Sequence, residues 1–307
     1  MKSQYGQQHT IFDPTKSTSF KNSEGSTWQI SYGDGSSSSG TVGTDTVAIG
    51  NISIKDQAVE LADTLSTSFQ QGEGDGLLGL GFPAINTVKP TPVATPVENM
   101  INQGLLKAPN QLFTCWLGSA ASQDSVTNSW YTFGSIDQDA LTQTGASASD
   151  IHYAPVDNSN GFWQFSSTSA KVNGETIHLA GNTAIADTGT TLALVSDKVV
   201  EAVYKNIPGA ENNQQLGGYV FPTNTDVSKF PAIQVDVGGK LFTINKSELA
   251  FADAGNGMSY GAIQSRGDQM PLDILGDVFL RSVYAIFDQG NKRFGAVPRK
   301  ASTPTPA

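Results

Sequence analysis

The stretch that decides the fold reads Ile185-Ala186-Asp187-Thr188-Gly189-Thr190-Thr191. It places a carboxylate between two apolar runs, at residues 183–186 and 192–194. An Asp-Thr-Gly triplet also occurs in ordinary turns, where the Asp side chain binds nearby backbone groups. A carboxylate inside an apolar run is different, because burying a charge requires a hydrogen-bond network or a function. The stretch therefore indicates a turn within apolar surroundings whose carboxylate has either a hydrogen-bond network or a function.

The composition favours an all-β protein with many turns. The 307 residues include 32 glycines, and only 15% are charged, against roughly 25% in a typical soluble domain. The net charge is −10, which argues against binding to nucleic acid or to anionic membranes through general electrostatics. No apolar stretch reaches the roughly 20 residues that a membrane-spanning helix needs.

Other kinds of catalytic or cofactor site find little support. Cys115 is the single cysteine and lies in an apolar run, so we predict a buried side chain and no intramolecular disulfide. The three histidines are scattered, so no metal site is expected. Gly74-x-Gly76-x-x-Gly79 matches a dinucleotide fingerprint in spacing, but Pro83 follows where a helix should begin. We therefore expect no cofactor.

The pattern along the chain predicts strands with a few helices. Strands are expected over residues 27–60, 283–287 and 293–297. Thr95, Pro96 and Glu98 have the spacing of a capped helix that stops at Gly104, and a second helix is predicted from Ser196 to about Asn206. The Pro/Thr-rich residues 301–307 are expected to be disordered.

One motif occurs in both halves of the chain. Asp75-Gly76-Leu77-Leu78-Gly79 resembles Leu272-Asp273-Ile274-Leu275-Gly276, since each contains an acidic residue, an apolar pair and a glycine. A single such echo is a weak repeat signal by itself.

Taken together, these stretches resemble the pepsin-like aspartic endopeptidases, and most closely the secreted fungal members. The Asp187 turn is similar to the catalytic turn of that family's second lobe, and both echoed motifs are similar to segments behind its catalytic loops. Further similar stretches, in the family's order, are Ser31-Tyr32-Gly33-Asp34-Gly35-Ser36, Ala94-Thr95-Pro96-Val97 and Phe287-Asp288. The likeness covers about residues 9–298.

The resemblance implies an all-β, bilobal pepsin-like fold with a few short helices. Residues 1–146 would form the N-terminal lobe with the flap, and residues 147–300 the C-terminal lobe with Asp187. It further implies peptide hydrolysis by two carboxyl groups and an activated water, with no metal.

The resemblance also assigns roles to individual residues. Asp187 would be catalytic, in a loop with Thr188 and Gly189. The flap would present Tyr32, Gly33 and Asp34. Substrate contacts are expected from Thr190, Thr191, Phe69, Leu77, Ile185 and Ile274.

The sequence departs from the family pattern because it contains no second Asp-Thr-Gly or Asp-Ser-Gly. Asp187 precedes Gly276 by 89 positions, and the same spacing before Gly79 falls about ten positions ahead of Met1. We therefore expect a chain truncated at its N-terminus, whose first lobe lacks its opening strands and its catalytic Asp. Full activity of the chain as written is not expected. Thr223 and Tyr260 stand where many relatives have a disulfide.

Alternatives remain open at this point. A catalytically inactive peptide-binding or inhibitor-like homologue is the second hypothesis, and a homodimer that pairs two copies of Asp187 is a third. The expected partners are polypeptide substrates, and the expected state is a monomer. The N-terminal eight residues lack the apolar core of a signal peptide. The resemblance implies an extracellular location, with the vacuole as the alternative.

Overall fold

The computed structural model describes residues 9–119 and 129–299. Over these residues the chain is built mainly of β-strands, which are, in order, β1 Lys21–Ser31, β2 Ser37–Ile49, β3 Ile52–Leu65, β4 Leu112–Trp116, β5 Trp130–Phe133, β6 His152–Pro155, β7 Gln164–Ser166, β8 Ser169–Val172, β9 Glu175–His178, β10 Thr183–Ala186, β11 Ala193–Val195, β12 Glu211–Asn213, β13 Gly218–Pro222, β14 Ile233–Val237, β15 Lys240–Ile244, β16 Ala250–Gly255, β17 Met258–Gly261, β18 Ile263–Ser265, β19 Asp273–Leu275, β20 Val283–Asp288 and β21 Arg293–Pro298.

The helices are short and lie between the strands. The α-helices are α1 Thr67–Gln71, α2 Pro96–Asn102, α3 Gln138–Thr144, α4 Asp197–Tyr204 and α5 Asp277–Leu280. Single 3₁₀ turns are found at Pro14–Lys16, Pro83–Ile85, Ala148–Asp150, Val227–Lys229 and Lys246–Glu248. No helix among residues 9–119 and 129–299 has both the length and the apolar character that a membrane crossing requires.

The chain divides into two compact units. The first contains Met1–Lys107 and Ser159–Gly161. Its strands form one antiparallel sheet in the order β1-β2-β3. Trp28, Val42 and Val88 form one buried apolar cluster in it, and the Trp28 indole donates a hydrogen bond of 3.1 Å to the carbonyl of Thr41. Further buried apolar side chains of this unit are Ile54, Val97 and Met100.

The second unit contains Ala108–Asn158 and Phe162–Ala307. It holds two five-stranded sheets, ordered β5-β4-β20-β21-β6 and β18-β11-β19-β10-β7, and two four-stranded sheets, ordered β12-β13-β17-β16 and β15-β14-β8-β9. Aromatic rings fill its core: Phe113 stacks on Phe287 with ring centroids 4.6 Å apart, and Trp163 meets Phe287 edge-on at 5.1 Å. Apolar burial of this extent is the main stabilising contribution to such a unit.

Local sequence rules predicted several elements correctly. Strands cover residues 27–60, and the two C-terminal strands are β20 and β21. In α2 the Thr95 hydroxyl accepts a 3.3 Å hydrogen bond from the Glu98 backbone N–H. The second predicted helix is α4, and Cys115 is buried. These predictions of strands and helices are confirmed, because capping and alternation patterns depend on only a few neighbouring residues.

The predicted boundary between the two lobes, at residues 146 and 147, stays a prediction. The tail at residues 301–307 lies outside the described residues. The Thr223 hydroxyl accepts a 3.0 Å hydrogen bond from Ser259, the residue before Tyr260.

Candidate active site

The turn that carries Asp187 lies between two strands of one sheet. β10 leads into it and β11 follows it, and both pair with β19. The pairing with β10 is parallel and places Ile185 beside Ile274, whereas the pairing with β11 is antiparallel. The Asp187 backbone N–H donates to the carbonyl of Leu275 at 3.2 Å. β19 therefore separates the two strands and holds the turn at their ends.

Hydrogen bonds inside the turn fix the Asp187 carboxylate. Its Oδ1 accepts from the Gly189 backbone N–H at 2.9 Å, and its Oδ2 accepts from the Thr190 hydroxyl at 2.6 Å. Asp187 is half-buried. Charge-assisted hydrogen bonds of this kind are short and directional, so the carboxylate has a defined orientation before any substrate binds.

The segment after β19 closes the turn from behind. The backbone N–H groups of Asp277 and Val278 donate to the carbonyls of Thr190 and Thr191, at 2.8 and 3.1 Å. A Cβ atom on Gly276 would lie 2.1 Å from the Thr190 carbonyl oxygen and 2.4 Å from that of Leu192. Only glycine permits this close approach of two backbone segments, which explains why the apolar pair of the motif ends in glycine here.

In the first unit, the predicted flap is the turn between β1 and β2. The Tyr32 N–H donates to the Ser36 carbonyl at 2.9 Å, and Asp34 Oδ1 accepts from the backbone N–H and the hydroxyl of Ser36, at 2.9 and 2.6 Å. These bonds hold the pKa of Asp34 below its ordinary value. The Tyr32 ring meets Phe69 edge-on, with centroids 5.6 Å apart. The turn is thus an ordered hairpin tip with an aromatic pair at its base.

Comparison with known proteins identifies the family. The model of the family described as eukaryotic aspartyl protease matches residues 1–298. The chain belongs to this family. Aspergillopepsin-1 of Aspergillus pseudoglaucus is 40% identical over 282 residues, which are 92% of this chain and 67% of that protein. Aspergillopepsin-1 of Aspergillus oryzae (strain ATCC 42149 / RIB 40) is 40% identical over 290 residues, 94% of this chain and 66% of that protein.

A solved structure gives the same answer for the fold. The crystal structure of the aspartic proteinase from Irpex lacteus matches with a TM-score of 0.78 and 25% identity, over 97% of this chain and 90% of that chain. The predicted all-β, pepsin-like class with few helices is confirmed, as is the family assignment. The chain spans about two thirds of the length of the Aspergillus relatives.

The residues predicted for the aspartic protease site are placed in two groups. In the second unit Asp187 lies with its loop residues and with Thr190 and Thr191, and the side chains of Ile185 and Ile274 are buried in the paired strands β10 and β19. In the first unit Phe69 contacts Tyr32, which belongs to the flap with Gly33 and Asp34, whereas Leu77 is 66% exposed and lies in no strand. The individual roles of these residues stay predictions.

A set of buried charges behind the turn was not predicted from the sequence. The Arg281 guanidinium lies 3.8 Å from both Asp277 and Glu248, and the Ser119 hydroxyl donates to the Glu248 carboxylate. Burial raises the pKa of Asp277 to about 6, although Arg281 acts in the opposite direction and Asp187 adds to the rise. Asp277 follows an apolar run, as Asp187 does, and that signal could have identified it.

A second buried carboxylate supports β19. Asp273 lies 2.7 Å from the Arg266 guanidinium and accepts a 2.8 Å hydrogen bond from Asn182. Burial raises the pKa of Asp273 despite these partners. Among the described residues, no group of three or more His, Cys, Asp or Glu side chains could hold a metal ion.

Proposed function

We propose that this chain is an aspartic endopeptidase by descent, and that Asp187 is one of the two carboxyl groups of its site. The observation that carries the proposal is the Asp187 carboxylate, fixed by Gly189 and Thr190 in the turn between β10 and β11. The second carboxyl group is absent from the chain, which contains a single Asp-Thr-Gly and no Asp-Ser-Gly.

The chemistry of acid proteolysis explains why two carboxyl groups are needed. One carboxylate takes a proton from the water that attacks the peptide carbonyl carbon, while a protonated carboxyl group donates a hydrogen bond to the carbonyl oxygen and then a proton to the leaving amine. A single carboxyl group cannot be ionised and protonated at the same moment. Asp187 alone can supply either role but not both, so this chain by itself should not turn over.

The family assignment supports a proposal for the substrate and its contacts. Polypeptides with bulky apolar residues beside the cleaved bond are the proposed substrates. Tyr32, Gly33 and Asp34 would close over the peptide, and Thr190 and Thr191 would contact its backbone. Phe69, Leu77, Ile185 and Ile274 are the proposed pocket walls. The two isoleucines are 6% and 9% exposed, so much of their area also supports the turn.

A cleavage assay tests this proposal. An unfolded protein is incubated at acidic pH with the chain, with Asp187→Asn, and with Asp197→Asn as a matched control at an exposed position. We expect no cleavage by the folded chain above the Asp187→Asn background. Cleavage that is lost in Asp187→Asn and kept in Asp197→Asn would contradict the single-carboxyl proposal, because a second carboxyl group, such as Asp187 of a second copy, would then be at work.

The alternative function is peptide binding without cleavage. The single Asp-Thr-Gly favours it, and the ordered flap hairpin is compatible with it. A labelled polypeptide that binds the folded chain, is released by Tyr32→Ala and is not cleaved would support the binding function. Failure to bind at acidic and neutral pH would exclude it.

Location and assembly are proposed from the family as well. We place the protein outside the cell as a monomer, as the resemblance to secreted fungal members implies. Fractionation of cells and medium, followed by sedimentation of the recovered protein, distinguishes this from a vacuolar location and from a homodimer.

A further inference from the structure

We propose that Asn51, in the turn between β2 and β3, is a site of N-linked glycosylation. Two stretches of the chain have the Asn-x-Ser pattern that this modification requires, Asn51-Ile52-Ser53 and Asn245-Lys246-Ser247. Their surroundings in the fold differ, and the difference favours the first. The inference goes beyond proteolysis and rests on the proposed extracellular location, because N-linked glycans are added to secreted chains.

Asn51 lies at the surface in a tight turn. β2 and β3 remain paired as far as Ile49 and Ile52, so Gly50 and Asn51 are the two residues of the hairpin loop. Gly50 has a φ of 58°, as a two-residue loop with glycine at its first position requires. Asn51 and Ser53 are both exposed. The residue that would carry the sugar and the hydroxyl residue of the pattern are therefore both at the surface.

The space around this turn is open. A Cβ atom on Gly50 would meet no atom within 4 Å. Across the hairpin, Ser53 pairs with Ala48, which is exposed and has only a methyl side chain. An N-linked glycan is bulky and hydrated, so it needs a surface position with free space around it. The β2–β3 turn offers such a position.

The second stretch with this pattern is packed against the rest of its unit. Asn245 and Ser247 are half-buried, and Asn245 begins the 3₁₀ turn Lys246–Glu248. The Asn245 N–H donates to the Ser282 hydroxyl at 2.9 Å, and its carbonyl accepts from the Glu248 N–H at 3.0 Å. Glu248 is buried. A sugar on Asn245 would crowd this packed turn, so we expect Asn245 to be unmodified in the folded protein.

The reaction joins the Asn51 side chain to an oligosaccharide carried on a lipid diphosphate. The Nδ2 atom attacks the anomeric carbon of the first sugar, and a carbon–nitrogen bond forms. The bond from that carbon to the diphosphate oxygen breaks, and the lipid diphosphate leaves with the electron pair. Nδ2 gives up one proton to a base of the transferase, and no group is oxidised or reduced.

A glycan at Asn51 would lie far from the flap. β2 begins at Ser37, soon after the flap turn, and ends at Ile49, beside the β2–β3 turn. Its length separates the two turns by roughly 40 Å along the strand. The modification is therefore compatible with closure of the flap over a peptide, and it does not depend on whether the chain cleaves that peptide.

Secretion from yeast tests the site. The full chain is produced behind a cleavable secretion leader, and chains that have lost the leader are compared as wild type, Asn51→Gln and Asn245→Gln. We expect one glycan on the wild type and on Asn245→Gln, and complete loss of the glycan in Asn51→Gln. An N-glycosidase removes the glycan and leaves aspartate at the carrier position, so a change of gel mobility and peptide mass spectrometry identify the site.

Variants of the third residue provide matched controls. Ser53→Thr preserves the Asn-x-Ser/Thr pattern and should keep the glycan, whereas Ser53→Ala should lose it. If Asn245→Gln fails to fold, Ser247→Ala removes the same pattern and should keep the Asn51 glycan.

Two results would overturn the proposal. One is a leader-free wild-type chain without a glycan at Asn51, and the other is a glycan that is retained in Asn51→Gln and lost in Asn245→Gln. Because the leader directs the chain into the secretory pathway whatever its natural location, either result would concern Asn51 and not the proposed location.

Discussion

The two echoed motifs have the same apolar pair and glycine but very different surroundings. In residues 272–276, Ile274 is 9% exposed and a Cβ on Gly276 would lie 2.1 Å from a backbone oxygen. In residues 75–79, Leu77 is 66% exposed and a Cβ on Gly79 would have nothing within 4 Å. The motif is buried where an Asp-Thr-Gly turn packs on it, and in the first unit it is open. In the second unit, the apolar pair and the glycine therefore serve the packing of the turn against β19.

The largest expected effect comes from filling the glycine position in each motif. Gly276→Ala places a methyl group against the backbone of the turn, and we expect the second unit not to fold, a cost beyond the roughly 1–3 kcal/mol of ordinary overpacking. Gly79→Ala should change the free energy of unfolding by less than about 0.5 kcal/mol. Urea denaturation followed by circular dichroism measures both. Equal losses of stability in Gly276→Ala and Gly79→Ala would contradict the difference in packing between the two motifs.

The next largest expected effect is on the pH dependence of the free energy of unfolding. The two motifs differ in the residue after the glycine, which is Asp277 in the second and Leu80 in the first. The pKa of folded Asp277 is raised from 3.8 to about 6, so its contribution to stability is complete below pH 3.8 and is lost as the pH rises through about 6. The difference corresponds to at most about 3 kcal/mol. Asp277→Asn should remove this dependence, so that the wild type loses stability relative to the variant between pH 4 and 6. A constant difference between wild type and variant over that range would contradict the assignment.

The smallest effect is expected for the apolar pair. Ile274→Ala should lower the free energy of unfolding by about 2 kcal/mol, the low end for a buried isoleucine. Leu77→Ala should have an effect within about 0.5 kcal/mol. Thermal denaturation of the two variants provides the measurement, and a larger loss for Leu77→Ala than for Ile274→Ala would show that residues 75–79 are packed in solution.

The features that could be predicted from the sequence are those that depend on residues adjacent in the chain. The Thr95 cap, the strands β20 and β21 and the Asp187 turn follow from patterns of a few residues. The burial of Leu77 could not be judged from its apolar character, because burial depends on what packs against the motif. In the cluster of Asp277, Arg281 and Glu248, Asp277 and Arg281 are neighbours on one helix. Glu248 lies 29 or more positions away in the sequence, and only tertiary packing brings it to them.

Backbone hydrogen exchange tests the central comparison most directly. The amides of Asp187, Asp277 and Val278 donate to carbonyls within the turn and β19, so they should exchange with the protection of the second unit's core, whereas the amides of Leu77, Leu78 and Gly79 should exchange close to the unprotected rate. Mass spectrometry of peptides covering residues 75–79 and 272–278 provides the measurement. Comparable protection of the two peptides would contradict the account, because it would mean that the first motif is also covered.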